Sequence, residues 1–158
     1  MKPEKTNVMR VLDSKKIAYN TYSYEPNPAL TGADIAKILN QNPEKVFKTL
    51  VTVGKSGAHY AFVVPVLREL DLKKAASAVS EKNIEMVKSR ELLGLCGYIH
   101  GGCSPIGMKK FFVTTVDESA KSFDTIIFSA GKIGFQVEIP PKELEKVIRL
   151  QYCDICEA

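Results

Sequence analysis

The tightest constraint on the fold lies in residues 47–65. Phe47-Lys48-Thr49-Leu50-Val51-Thr52-Val53 and Tyr60-Ala61-Phe62-Val63-Val64-Pro65 are two runs of strand-forming residues, and Gly54-Lys55-Ser56-Gly57 separates them, so the segment predicts a β-hairpin. Leu50, Val51 and Val53 put apolar groups on both faces of the first strand, the pattern of a strand buried centrally in a sheet. One cation, Lys48, stands inside this apolar run. An unpaired ammonium is costly to bury. Either Lys48 carries its aliphatic stem out to solvent, or it lines a cleft and meets an anionic or carbonyl-bearing ligand. The surrounding pattern favours the cleft.

Helices and further strands are expected around the hairpin. Residues 6–15 place Val8, Met9, Val11 and Leu12 on one helical face behind a Thr6 cap, and residues 19–24 read as extended. Pro26 and Pro28 break regular structure, after which Thr31 and Asp34 form a capping-box pattern ahead of Ile35, Ile38 and Leu39. Asn42-Pro43-Glu44 marks another helical start, and Asp71 caps a helix whose apolar spacing continues to Val79. Residues 84–87 predict a short strand, and Ser89 is expected to cap a helix through Leu92 and Leu93. Residues 111–116 and 125–129 are strand candidates joined by a short helical connection at 117–122. Residues 135–139 alternate as a half-buried strand does, and Pro140-Pro141 opens a final helix with Leu144, Val147 and Ile148 inward. The expected fold is α/β (α+β), with six or more short strands and flanking helices, and its 158 residues suit a single domain over residues 1–158.

Composition removes several classes. With 45% hydrophobic and 25% charged residues the chain is neither disordered, collagen-like nor coiled-coil. No apolar run approaches the ~20 residues that span a bilayer. The charged Met1-Lys2-Pro3-Glu4-Lys5 is not followed by the apolar stretch of a secretory signal, so a cytoplasmic location without a membrane partner is expected. The formal net charge of +4 permits RNA as a partner without requiring it.

Familiar catalytic devices are missing. His59 and His100 belong to no zincin motif, and the chain has no nucleophile elbow, phosphate-binding P-loop or dinucleotide fingerprint. Cys153-Asp154-Ile155-Cys156 has the spacing of a metal half-site or redox pair, which Cys96 and Cys103 could notionally complete. A second close pair is absent, so no metal and no cofactor are expected, and the four cysteines read as reduced thiols. Residues 97–107 hold four of the ten glycines together with Pro105. Such a loop can bring backbone N–H groups close to a ligand and aim them at developing negative charge; it can also be a structural turn. Cys103 and Ser104 lie inside it, but covalent catalysis needs a base within reach, and His100 is the one local candidate.

Four stretches taken together carry a family likeness: Val46-Phe47-Lys48-Thr49-Leu50, Leu70-Asp71-Leu72-Lys73-Lys74, residues 97–110, and Ser129-Ala130-Gly131-Lys132-Ile133-Gly134. In this order, and over nearly the whole chain, they resemble the YbaK/EbsC family, and within it the YbaK-type Cys-tRNA(Pro) deacylases related to the editing domain of prolyl-tRNA synthetase. The resemblance implies a mixed, largely antiparallel barrel-like sheet with helices around it. It also implies a freestanding trans-editing enzyme that cleaves the ester between a wrongly attached amino acid and tRNA, above all cysteine on tRNA(Pro). Its partners would be the acceptor end of aminoacyl-tRNA and prolyl-tRNA synthetase.

On this resemblance Lys48 is the family's essential lysine, and Gly101 and Pro105 end its Gly-x-x-x-Pro loop, with Gly102, Cys103 and Ser104 between them. Tyr24 matches an aromatic pocket position, and Ser129 and Gly131 match a Ser-x-Gly motif beside the substrate. Thr31 stands where the best-known member's pattern has phenylalanine and Gln136 where it has aspartate, so the resemblance leaves pocket shape and amino-group recognition open. In the family scheme the substrate's own thiol attacks the ester carbonyl and leaves as a cyclic thiolactone, which agrees with the lack of a convincing nucleophile and base here. Two alternatives stay open: an Ala-tRNA(Pro) deacylase using water or the ribose hydroxyl, and a non-enzymatic binder of tRNA or a small ligand. Lys15-Lys16, Lys73-Lys74 and Lys109-Lys110 are candidates for a basic rim.

Overall fold

The expected hairpin forms and organises a five-stranded sheet. The structure, a computed structural model, describes residues 5–158. β1 is Asn20–Ser23, β2 Phe47–Gly54, β3 His59–Pro65, β4 Ile84–Met86, β5 Val113–Asp117, β6 Ile126–Ser129, β7 Phe135–Ile139 and β8 Gln151–Cys153. The helices are α1 (Asn7–Ser14), α2 (Gly32–Ile38), α3 (Leu72–Ala78), α4 (Leu92–Cys96) and α5 (Pro141–Val147). β2 and β3 pair antiparallel from Phe47↔Pro65 to Val53↔His59 within the order β4-β2-β3-β5-β8, in which β5 runs parallel to both β3 and β8. A second sheet, β1-β7-β6, is antiparallel throughout.

The two sheets meet at one parallel bridge, Val46↔Ile127. The mixed α/β architecture is as expected, but the sheets are not hydrogen-bonded into a closed barrel: they lie edge to edge along this seam.

The two faces of β2 feed two cores, as its apolar pattern requires. Phe47 and Val51, with Ala61 and Val63 opposite, face the larger core beside Val8, Met9 and Leu12 of α1. Leu50, with Phe62 and Val64, faces a second core under Ala75 and Ala76 of α3, together with Ile84 and Ile155. Local capping follows the sequence in four places, one being Asn42, whose side chain accepts from the Glu44 N–H. Thr6 accepts from the Met9 N–H, Thr31 and Asp34 form a reciprocal capping box, and Asp71 accepts from the N–H groups of Lys73 and Lys74. Ser89 does not cap: it begins a 3-10 turn (Ser89–Glu91) preceded by Lys88, with no side-chain cap. β8 has no counterpart in the sequence reading. It is three residues long with an exposed Gln151, and its pairing with β5 is what makes it a strand.

β7 departs from the expected half-buried strand, because Gln136 and Glu138 are buried as well as Val137 and Ile139. The polar face is covered by α2, whose Ala36 packs on Val46 and Ile127, and by the turn that follows it, which carries Lys45. Glu138 Oε2 accepts from Lys45 Nζ at 2.8 Å and Thr125 Oγ1 at 2.6 Å, and Oε1 accepts from the Tyr22 hydroxyl at 2.7 Å. Burial pushes the carboxyl up, but the hydrogen bonds from Lys45, Thr125 and Tyr22 and the Lys45 charge outweigh it and hold it at about 2.

Glu138→Gln should therefore destabilise the protein by about 2–3 kcal/mol at neutral pH, measured by urea denaturation. The folded carboxyl lies below its ordinary value of 4.5, so the wild-type advantage is fully present above that pH and is lost as pH falls through about 2. A difference between the two proteins that does not change over this window would contradict the assignment.

Candidate active site

The seam between the sheets fixes which side chains share a face. Val46 and Ile127 project together into a small core with Ala36. Side chains alternate along a strand, so two residues further on Lys48 in β2 and Ser129 in β6 return to that same side. Gln136 and Tyr22 join them, because Ser129 and Tyr22 both sit opposite Gln136 in the second sheet. Tyr24 is two residues beyond Tyr22, and its N–H donates to the Gly134 carbonyl at 2.9 Å, which extends the same face.

The glycine loop is tied to this face through Ser129. The Ser129 hydroxyl donates to the Gly102 carbonyl at 3.0 Å and accepts from the Gly131 N–H at 3.1 Å. Gly102 lies so close to the next hairpin that a Cβ on it would stand 3.4 Å from the Ile133 nitrogen. Tyr98 braces the far side, donating to the Ile106 carbonyl at 2.6 Å. Gly131 has φ +90°, and a Cβ there would be 2.9 Å from the Tyr98 ring and 3.1 Å from Val8. The sequence motif therefore marks a close approach of backbone to an aromatic ring.

Cys103 and Ser104 turn inward. Cys103 packs in the larger core, its thiol donating to the Ile99 carbonyl at 3.6 Å with Cys96 Sγ 4.0 Å away. Burial, and then the neighbouring Cys96, push the Cys103 thiol up to about 12. Ser104 is fully buried and its hydroxyl accepts from the Ile106 N–H at 3.4 Å. His100 is exposed, and His59 stacks on Phe112 at 5.6 Å. Among the described residues, neither Cys103 nor Ser104 is hydrogen-bonded to the base that a protein nucleophile requires.

Lys48 is 31% exposed and places its Nζ 3.5 Å from Glu69 Oε1. Thr31 is exposed, with its hydroxyl committed to the Asp34 N–H at 3.1 Å. The helix it caps docks beside the start of β2, where a Cβ on Gly32 would meet Val66 Cγ1 at 2.7 Å and the Val66 N–H donates to the Val46 carbonyl. Gln136 Oε1 accepts from Gln41 Nε2 at 2.8 Å.

Register and alternation thus put Lys48, Ser129 and Gln136 on one face at the seam, and Ser129 ties Gly102 and Gly131 to it, with Gly101 and Pro105 in the same loop. Gln41, Glu69, Tyr98 and Ile133 touch these residues; Tyr98 and Ile133 lie within the motif stretches, but none of the four is expected from the sequence as a site residue.

The four sulfurs do not assemble: Cys96 and Cys103 pack in the larger core, Cys153 and Cys156 with the second. Burial and Asp117 push the Cys156 thiol up to about 12. Of the lysine pairs, Lys15, Lys16, Lys73, Lys109 and Lys110 are exposed, whereas Lys74 is held 3.0 Å from Asp154. Two shallow depressions of about 410 and 380 Å³ flank Asp154 and contain none of the seam residues.

Residues 26–147 match the profile of the aminoacyl-tRNA editing domain. An Enterococcus faecalis protein, described as a candidate Cys-tRNA(Pro)/Cys-tRNA(Cys) deacylase EbsC, is 40% identical over 153 residues, covering 96% of this chain and 93% of its own. A crystal structure of a hypothetical protein superposes with a TM-score of 0.85 at 22% identity, over 95% of this chain and 99% of that one. A candidate trans-editing enzyme for prolyl-tRNA synthetase superposes with a TM-score of 0.81 at 23% identity, over 98% of this chain and 100% of its own. At these identities the two structures speak for the fold.

Gly131→Ala should cost roughly 2–4 kcal/mol, since it adds a clash with Tyr98 to the strain of positive φ. Gly57→Ala, at φ +92° with nothing within 4 Å of its Cβ, should cost about 1 kcal/mol. Equal losses in thermal denaturation would show that strain alone, and not the Tyr98 contact, fixes the glycine.

Proposed function

The chain belongs to the aminoacyl-tRNA editing domain family, and from that premise we propose that it is a trans-editing deacylase whose substrate is cysteine wrongly esterified to tRNA(Pro). The observation that carries this reading is the seam, where alternation sets Lys48 and Ser129 on one face and Ser129 holds the Gly102 carbonyl.

An aminoacyl ester is already activated, so the site has to orient it and stabilise the tetrahedral oxyanion. Lys48 anchors the phosphate of the terminal adenosine. The backbone of residues 101–105 cradles the reacting carbonyl, and Gln136, with its own carbonyl occupied by Gln41, turns amide N–H groups to substrate oxygens. The cysteine thiol attacks its own ester carbonyl. The C–O bond to ribose then breaks, the thiol proton passes to the ribose oxygen, and the products are a cyclic thiolactone and free tRNA. The inward-turned Cys103 and Ser104 support a nucleophile supplied by the substrate.

Such a route selects cysteine chemically. A pocket separates near-isosteres by only ~1–3 kcal/mol, whereas proline has no side-chain nucleophile to offer. Exposed lysines such as Lys15, Lys16, Lys109 and Lys110 would supply modest, salt-sensitive attraction for RNA. Association with prolyl-tRNA synthetase in the cytoplasm would raise the local concentration of substrate.

The test is deacylation of Cys-, Ala-, Ser- and Pro-tRNA by the wild type and by Lys48→Ala. Lys48→Ala should lose about 100-fold or more in rate with an unchanged melting curve, and Cys103→Ala should keep its activity. Full activity of Lys48→Ala would remove the central assignment. Rapid release of serine or alanine would replace the thiol route by water or ribose attack, and binding of all four without release would make the protein a binder.

A further inference from the structure

Lys48 lies beside the carboxylate of Glu69, a residue whose backbone is tied to the far end of the chain. Glu69 lies in the connection from β3 to α3, and the residues after β8 bind that connection along its backbone. The Glu157 N–H donates to the Glu69 carbonyl at 2.9 Å, the Asp71 N–H donates to the Ile155 carbonyl at 2.8 Å, and Leu70 bridges antiparallel to Cys156. Arg68 Nη2 adds a bond to the Glu157 carbonyl at 2.9 Å.

The tail is itself anchored. Ile155 is fully buried, its N–H donates to the buried Asp117 at 3.2 Å, and Lys74 Nζ donates to the Cys156 carbonyl at 2.9 Å. The C-terminal segment that carries Cys153 and Cys156 therefore acts as a clamp on the loop carrying Glu69.

An ion pair as open as this one, with Glu69 74% exposed and 3.5 Å from Lys48, contributes little to stability. Its effect falls instead on what Lys48 can bind, because an incoming phosphodiester meets a negative charge already in place. We propose that Glu69 is the resident counter-anion of Lys48, held by the C-terminal clamp, and that the terminal phosphate of the tRNA displaces it. Glu69 thereby sets how tightly the acceptor end binds. This rests on the reading of Lys48 as the phosphate anchor. The displacement is required equally for ground state and transition state, so it raises KM and leaves kcat unchanged.

The probe is an acceptor-stem RNA hairpin ending in CCA, with cysteine joined to its 3′ end by a non-hydrolysable amide. Glu69→Gln should lower its Kd about threefold to tenfold at low salt, with the gap narrowing as salt rises. KM for Cys-tRNA should fall in parallel at constant kcat. Glu157→Gln makes the same change in net charge nearby and should move Kd by less than about twofold, as should Glu69→Gln placed in a Lys48→Gln background. An unchanged Kd in Glu69→Gln, an equal effect from Glu157→Gln, or an undiminished effect without Lys48 would overturn the proposal. If Lys48→Gln binds the probe as tightly as wild type, the phosphate-anchor reading falls and takes this proposal with it. If Lys48→Gln weakens binding and Glu69→Gln does not tighten it, the assignment of Glu69 alone falls.

Discussion

The parallel contact between Val46 and Ile127 is a single bridge, yet it sets the relation between the two sheets and so the face on which Lys48 emerges. Two sheets joined at one bridge need further ties. The Glu138 cluster provides them, because Lys45 precedes β2, Thr125 precedes β6, Tyr22 lies in β1 and Glu138 itself lies in β7. A buried carboxylate is tolerable only with such a complete set of donors, and that requirement makes the cluster directional in a way that apolar packing is not. A shift of either sheet would leave a buried charge unpaired.

The neighbouring glycine loop is held by different means. Residues 102–106 are buried, with Ser129 on one side, Ile133 above and Tyr98 behind. A main-chain cradle held in this way suits the reaction proposed above, in which the substrate brings its own nucleophile, since electrostatic stabilisation works through groups that need not reorganise. The residues that look most reactive in the loop, Cys103 and Ser104, are structural for the same reason: their side chains fill the core that keeps the cradle in place.

Much of the fold is legible because it depends on local rules. The β2–β3 hairpin, the capping box at Thr31 and the caps at Thr6 and Asp71 each need only neighbours in sequence. Lys48 is legible as a candidate site residue because a cation inside an apolar strand calls for an explanation that packing does not supply. Three features were hidden. Ser89 has a capping side chain but stands inside a 3-10 turn, β8 becomes a strand through its pairing with β5, and the polar positions of β7 are buried by α2 and the turn after it. In each case the deciding partner is distant in sequence.

The amino-acid order by itself determined most of the elements and the centrally buried hairpin, since these follow from periodicity and caps along the chain, and it carries the motifs by which the chain resembles its family. Only the tertiary structure decided that Ser129 holds Gly102, that Gln41 occupies the Gln136 carbonyl, and that Glu69 stands beside Lys48 under the grip of residues 155–157. Such contacts join positions separated by tens of residues. Their geometry depends on how two sheets are set against each other, and no local preference encodes that arrangement.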